Sequence, residues 1–546
     1  MRGASKIVCK GGKGIAKERR IEACTALIND TALPRSGRPL FFAERGLAYA
    51  AQGENRNAMA DLTAAVALNR GYEEAWRWRG DLHDSMDQDE KAAADYDRAL
   101  KLDPEDDEAL NNRGWAYGRL GLYDRAIADY GRAIALMPRE PIYYKNRGEV
   151  WRRKNDNDRA IADFDAAIAL YPAYALAYRD RGDARSAEEK YQQALADYRK
   201  AIALWPRDAV AYNNLGCTLD RMNRTDDAIE AFGRAIAFAP RYATAYDNRG
   251  LLRARKGDSK GAIADFEAAV RLLPGDSDVL RHRADAYAAA GRFDKAMQDY
   301  AALLKRNPRD VASLNNRGNA YYNRGKFDPA IADYTAALKL SPQDATILVN
   351  RANANREKHR YAEALDDYDA AIALQPSAYR YRRRGDLRDD MGDPGAALAD
   401  YGRALKLDPT DWVIHHNRAV VLAETGDRAE AIDGFTTAAK LAPAPYRANP
   451  LVGRAAQFFA EGEDDKALAD CDAALALSKD HPGAWYWRGR VHARRGEYKP
   501  ALGDFDAAIR FSPDFSEAYY RRGLVKRKLG DAAGAEADIA RSKAGV

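Results

Sequence analysis

The chain is poor in the residues that usually carry chemistry. Its 546 residues include 4 cysteines and 7 histidines. No two of Cys9, Cys24, Cys217 and Cys471 share metal-ligand spacing. His415 and His416 are adjacent, so on a helix they point about 100° apart and cannot form an i, i+4 metal pair. There is no GxSxG elbow, no phosphate-binding glycine loop and no HExxH motif. No catalytic residue, metal site or cofactor is therefore expected, and the chain reads as a non-enzyme. Charge of one sign is lacking too: 87 basic against 82 acidic residues leave a net charge of +5. Such a balance gives no basic stripe for nucleic acid. No apolar run approaches the ~18–20 residues that span a bilayer, so no membrane insertion is expected. The first twenty residues are basic but lack the apolar stretch of a secretory signal, which points to a cytoplasmic location.

What the chain does have is a period. Pro104, Pro138, Pro172, Pro206, Pro240, Pro274, Pro308, Pro342 and Pro376 recur every 34 residues, and Pro409 and Pro443 follow. A fixed period of this size means one supersecondary unit stacked many times. Number the unit so that Gly114 is position 8 and Pro138 is position 32. Position 20 is then Ala in all fifteen copies, and position 8 is Gly or Ala throughout. Position 24 is aromatic in twelve copies. Small residues at 8 and 20 let two antiparallel helices approach closely, with the residue at 24 expected to fill the gap against the next pair.

This pattern resembles the tetratricopeptide repeat (TPR) family, whose small residue at 8, Tyr at 11, Ala at 20, aromatic at 24, Ala at 27 and Pro at 32 correspond to Gly114, Tyr117, Ala126, Tyr130, Ala133 and Pro138. The resemblance covers residues 36–546. It implies an all-α fold, a right-handed superhelix of about fifteen helix-turn-helix units, with about 31 helices in all. One departure stands out. The family's apolar position 7 is Arg in most copies, as at Arg79, Arg113, Arg249 and Arg488, with Leu215 and Val452 as exceptions. Asp recurs at position 23, Gly434 being an exception. Because Gly434 and Val452 sit in neighbouring copies, pairing of the acid with the Arg of the following repeat is favoured slightly over pairing within one repeat.

Along the chain, residues 1–13 read as a flexible basic tail. Residues 14–35 read as a lone second helix that caps the apolar face of the first full repeat. The array over 36–546 is expected to be one undivided domain. One residue is missing between Pro376 and Gly385. A larger irregularity at 443–462 places Pro450 at position 5, so that first helix is expected to start late and run long, and the segment is a candidate hinge. Residues 531–544 read as a solvating end helix. Cys9 and Cys24 are spaced to allow a disulfide closing a 15-residue loop. The resemblance extends to exported bacterial TPR proteins with a cysteine pair near the mature N-terminus, which makes the periplasm or cell envelope the alternative location.

The candidate binding residues lie on the first helices. Positions 2, 6, 9 and 13 form one helical stripe, and position 6 is Asn at Asn112, Asn146, Asn214, Asn248, Asn316, Asn350 and Asn417. An amide offers both a donor and an acceptor, so a ladder of them suits the backbone of an extended peptide. The arrangement is similar to the asparagine ladder in the repeat region of O-linked N-acetylglucosamine transferases, without their catalytic domain; Asp180 and His282 interrupt it. Near the C-terminal end, Arg490, Arg494 and Arg527 lie among Tyr486, Tyr520 and Phe458, a setting that suits an acidic segment. At the other end, repeat 2 offers Glu74, Asp81 and Asp84. The function expected is a protein-protein interaction scaffold or adaptor that holds an extended peptide or partner protein in its concave groove. The alternatives are an exported envelope assembly or secretion factor, and a regulatory module of a separately encoded enzyme.

Overall fold

The computed structural model describes residues 2–11 and 15–543, and among them it holds 32 α-helices, two short 3-10 turns and no strand. The elements follow from the repeat. A typical first helix is Asp107–Arg119, and its partner is Tyr123–Leu136. Pro at position 32 cannot continue the second helix. In many copies a side chain two residues later caps the next first helix: Asp106 accepts from the Ala109 amide, and Asp208 from the amides of Val210 and Ala211; Tyr174 and Tyr242 at the same place offer no such cap. Between the helices of a pair, position 15 is left-handed in every copy. Gly fills it in ten, and Asp87, Asn155, Glu189, Asn223 and His359 adopt a positive φ in the other five.

Packing within each pair depends on size. All fifteen position-20 alanines, from Ala58 to Ala535, are completely buried. The aromatic at 24 lies on the glycine at 8 of its own repeat, not of the next: a Cβ on Gly114 would stand 3.0 Å from the Tyr130 ring, and one on Gly250 2.7 Å from Phe266. In repeat 12 position 8 is Ala419, which packs with Phe435, and that ring also lies against Gly453 of the following copy.

Several expectations about organisation need correction. Residues Arg2–Lys10 form a helix and not a flexible tail; residues 12 and 13 lie outside the described residues. Cys9 is bonded to Cys24 on the helix Lys17–Asn29, and both are fully buried. Leu27 and Ile28 of that helix pack with Phe41 of the first full repeat. The array divides into two compact units, Met1–Ala286 and Tyr287–Val546. Each unit is an α-solenoid of successive helix pairs.

The irregular segment is a shift of register. Counted from Gly453, the helix Ala448–Glu461 does start late and run long. Yet the left-handed residue ending it is Gly462, which places position 8 at Ala455. A short 3-10 turn, Ala444–Tyr446, takes up the extra residues, and Pro450 falls in the first helical turn, where proline is tolerated. The missing residue near Pro376 shortens one connection, between Tyr361–Leu374 and Ala378–Asp390, where Ser377 caps the second of these helices.

Candidate functional site

The Arg of position 7 and the Asp of position 23 pair within one repeat. Arg113 Nε and Nη2 donate to the two Asp129 carboxylate oxygens at 2.7 Å each, and Arg384 holds the fully buried Asp400 at 2.8 and 2.7 Å. The reason is geometric: residues 16 apart face each other across the hairpin. The expected pairing with the following repeat is replaced by a secondary contact. The remaining Nη1 reaches back to position 25 of the preceding copy, as from Arg113 to Asp97 and from Arg522 to Asp506. With the register corrected, Arg454 stands at position 7 and bonds to Asp470. Acid and base are in fact lost together inside repeat 6, where Leu215 and Ala231 occupy the two positions. In repeat 12 Gly434 replaces the acid, and Arg418 turns to Glu430 at 3.0 Å. These pairs are structural. Removing one partner of a buried pair typically costs ~3–5 kcal/mol, because the other charge is left uncompensated.

The asparagines of position 6 do not form a free ladder. Asn112, Asn214 and Asn417 donate to Asp81, Asp183 and Asp386, each at position 9 of the preceding repeat, at 2.9, 2.8 and 3.0 Å. Asn146, Asn248 and Asn350 donate to Asn111, Asn213 and Asn315, at position 5 of the preceding repeat, at 2.9, 3.1 and 2.9 Å. Asn316 accepts from Asn315 at 3.1 Å. Position 6 lies at the seam between successive first helices, so its amide satisfies the neighbouring repeat. The interruptions obey the same rule: His282 meets Asp247 at 2.9 Å, and Asp180 meets Lys145 at 3.3 Å.

Position 9 has a second duty. In five of the repeats with Tyr at position 24 its hydroxyl donates to an acceptor at 9: Tyr96 to Asp81, Tyr198 to Asp183, Tyr334 to Asn319, Tyr368 to Asn353 and Tyr401 to Asp386. Tyr130, opposite Trp115, keeps a buried hydroxyl without a partner. Burial pushes the Asp183 carboxyl up to about 6, with Tyr198 and Asn214 opposing. The acidic patch of repeat 2 is compensated in part, and largely by the next repeat; Glu74 is exposed. Asp81 is engaged as described, Asp84 pairs with Arg119 at 2.6 Å, and Arg77 meets Asp106 at 3.1 Å.

The arginines near the C-terminal end are arranged differently. Phe459, Arg490, Arg494, Phe505, Arg521 and Leu524 line most of a cavity of about 230 Å³. The Arg490 guanidinium sits 4.4 Å from the centre of the Phe459 ring, 4.6 Å from Trp487 and 5.7 Å from Tyr486. Among the described residues no carboxylate lies within ion-pair distance of it. Arg494 stacks on Phe459 at 3.8 Å, donates to its carbonyl at 2.8 Å and pairs with Asp464. Arg521 is bonded to Glu517 at 3.0 Å. The third expected arginine, Arg527, is exposed and does not line the cavity.

Sequence profiles agree with this architecture. The profile described as Tetratricopeptide repeat matches residues 111–175, 213–277, 282–345, 315–379, 382–448 and 453–514, and another of the same description matches 165–241. A TPR repeat profile matches 85–121. The chain belongs to the tetratricopeptide repeat family. No curated protein matches the TPR array as a relative. Among solved structures, the Cut9–Hcn1 hetero-tetramer of the APC/C is similar at 14% identity and a TM-score of 0.40, over 92% of this chain and 98% of that one. Yeast Tom70 is similar at 18% identity and 0.38, over 80% and 96%. A tetratricopeptide repeat protein from Parabacteroides merdae is similar at 22% and 0.39, over 46% and 98%. At these identities and scores none of the three tells what the present TPR array binds.

Arg490 and Arg494 are legible in the sequence as basic residues near aromatics, but the cradle of rings is not. Counting from Gly453 put Phe458 on the binding stripe. In the true register Phe458 is at position 11, under Arg454 and Lys466, and its neighbour Phe459 is the stacking ring. The signal was Gly462, whose place at position 15 fixes the register from the other end of the helix. Among the described residues no group of three His, Cys, Asp or Glu side chains could hold a metal ion, and no helix is long and apolar enough to cross a membrane.

Proposed function

We propose that this TPR protein is a non-enzymatic interaction scaffold that holds an extended peptide or partner protein along its first helices, with an acidic stretch of the partner at the Arg490 cavity. Family membership supports the scaffold role. The observation that carries the finer reading is Arg490. Three rings hold its guanidinium, at ~0.5–2 kcal/mol for each such contact, and among the described residues no carboxylate neutralises it. A planar, pre-oriented guanidinium next to a cavity suits a carboxylate from outside. The asparagine seam has no part in this reading, because its amides already bond between repeats.

A second reading of the compartment has one observation in its favour. The buried Cys9–Cys24 disulfide suits an oxidising environment, as in a cell envelope, better than a reducing cytoplasm.

The test is capture of the partner by full-length protein, followed by its affinity for variants. Arg490→Ala is expected to weaken binding about tenfold or more, since a charge-assisted hydrogen bond contributes ~1.5–3 kcal/mol. Arg527→Ala should leave it within about twofold. A captured partner indifferent to Arg490→Ala and to salt overturns the acidic-segment reading.

A further inference from the structure

Repeat 6 lacks the ion pair that fills the same place in its neighbours, and a cavity stands there. In repeats 5 and 7 the position-7 guanidinium lies over the aromatic ring of position 4 and bonds to Asp at 23. Arg181 is 5.3 Å from the Tyr178 ring and bonded to Asp197; Arg249 is 5.8 Å from Tyr246 and bonded to Asp265. Repeat 6 keeps the ring, Tyr212, but loses both charges at Leu215 and Ala231. Tyr212, Leu215, Leu219 and Ala231 now wall a cavity of about 460 Å³. The corresponding cavity of repeat 10, which retains Arg351 and Asp367 on its wall, is about 340 Å³.

The rim is also altered. Asp227 is bound to Arg224 at 2.6 Å, and Glu230 faces Arg234 at 3.8 Å. That leaves Arg199, from the second helix of repeat 5. It stands at position 25, where other repeats offer Asp97, Asp165 or Asp506 to the next Arg. Among the described residues no carboxylate lies within ion-pair distance of Arg199. The result is an apolar, ring-bearing floor with an uncompensated guanidinium at its edge.

We propose that this cavity is a second docking site, which takes an aromatic side chain with a neighbouring carboxylate from a partner protein. The ring replaces the missing guanidinium against Tyr212, Leu215 and Leu219, and the carboxylate meets Arg199. The proposal rests on the scaffold reading but not on Arg490. The size of the space suits one such side chain, and charge complementarity at Arg199 sets its sign.

The test uses full-length protein and two probes, N-acetyl-Phe-Glu amide and its neutral counterpart N-acetyl-Phe-Gln amide, each displacing 8-anilino-1-naphthalenesulfonate. The double variant L215R/A231D restores the pair that the neighbouring repeats use. It is expected to lose acidic-probe binding at least tenfold while melting at or above the wild-type temperature. Arg199→Glu, an exposed change that leaves the packed floor intact, should also lose the acidic probe at least tenfold and bind the neutral one as before. Arg490→Ala should alter neither. Should L215R/A231D misfold, the Arg199→Glu result decides alone. Equal binding of both probes, or acidic-probe binding that survives Arg199→Glu, overturns the proposal. Either result leaves the Arg490 reading standing, and a failure at Arg490 leaves this one standing.

Discussion

A single carboxylate shows how the repeat turns a sequence accident into a titration. Asp183 stands at position 9, where it accepts from Tyr198 and from Asn214 of the next repeat, each at 2.8 Å. Burial raises its carboxyl to about 6, against an ordinary value near ~3.9. A carboxyl with a raised folded-state pKa binds protons more readily in the native state than in the unfolded one. The contribution of this group to stability is therefore largest below about pH 4, falls as pH rises through about 6, and is flat above. At position 9 of other repeats Asn319 and Asn353 accept the same tyrosine bond without a charge. Asp183→Asn should thus melt like wild type at pH 4 and be more stable by roughly 1–3 kcal/mol at pH 7.5. Equal melting at both pH values would show that the anion carries no cost there. At this scale the sequence disclosed residue types and not partners. Arg at 7 and Asp at 23 were visible, but their pairing was readable only from Leu215 and Ala231, lost together 16 residues apart. The asparagines were legible as a stripe. That the seam already used their amides was not, because the acceptors at 5 and 9 vary in kind between Asp and Asn.

Elements were more legible, since each helix boundary has a local cause. A left-handed residue at 15 recurs in every copy, and proline at 32 and a capping side chain two residues on recur in many. The exceptions were the short helix Arg2–Lys10, whose glycine-bearing and basic sequence carries little helical pattern, and the register of repeat 13. The first of these is tied to the array by a covalent link as well as by packing. Cys9 joins the Arg2–Lys10 helix to Lys17–Asn29, while Arg20 bridges to Glu44 of the first full repeat at 2.8 Å. A crosslink closing 15 residues contributes ~3 kcal/mol in the chain-entropy account. Replacing both cysteines by serine should raise hydrogen exchange over residues 2–10 to that of a free peptide and lower the protection of 17–29. Exchange beyond the first full repeat should be unchanged. Protection of 2–10 that persisted without the disulfide would mean that packing alone holds this helix.

At the scale of the whole molecule, stability in a solenoid is a sum of repeat and nearest-neighbour terms, so damage should stay local. Ala228 tests this. It is completely buried between the helices Ala209–Arg221 and Thr225–Phe238. Leu at this place must force the pair apart, at a cost of ~1–3 kcal/mol. Repeats 5 and 7 touch repeat 6 directly and should share the loss. Hydrogen exchange in Ala228→Leu is therefore expected to rise over about residues 175–272 and to remain at wild-type levels in distant helices such as Asp464–Leu477. The same variant should leave the Arg490 cavity able to bind while impairing the cavity of repeat 6, which shares Leu219 and Ala231 with the disturbed core. A uniform rise in exchange along the chain would mean that the array unfolds as one cooperative body, and that its two binding readings cannot be separated by local damage.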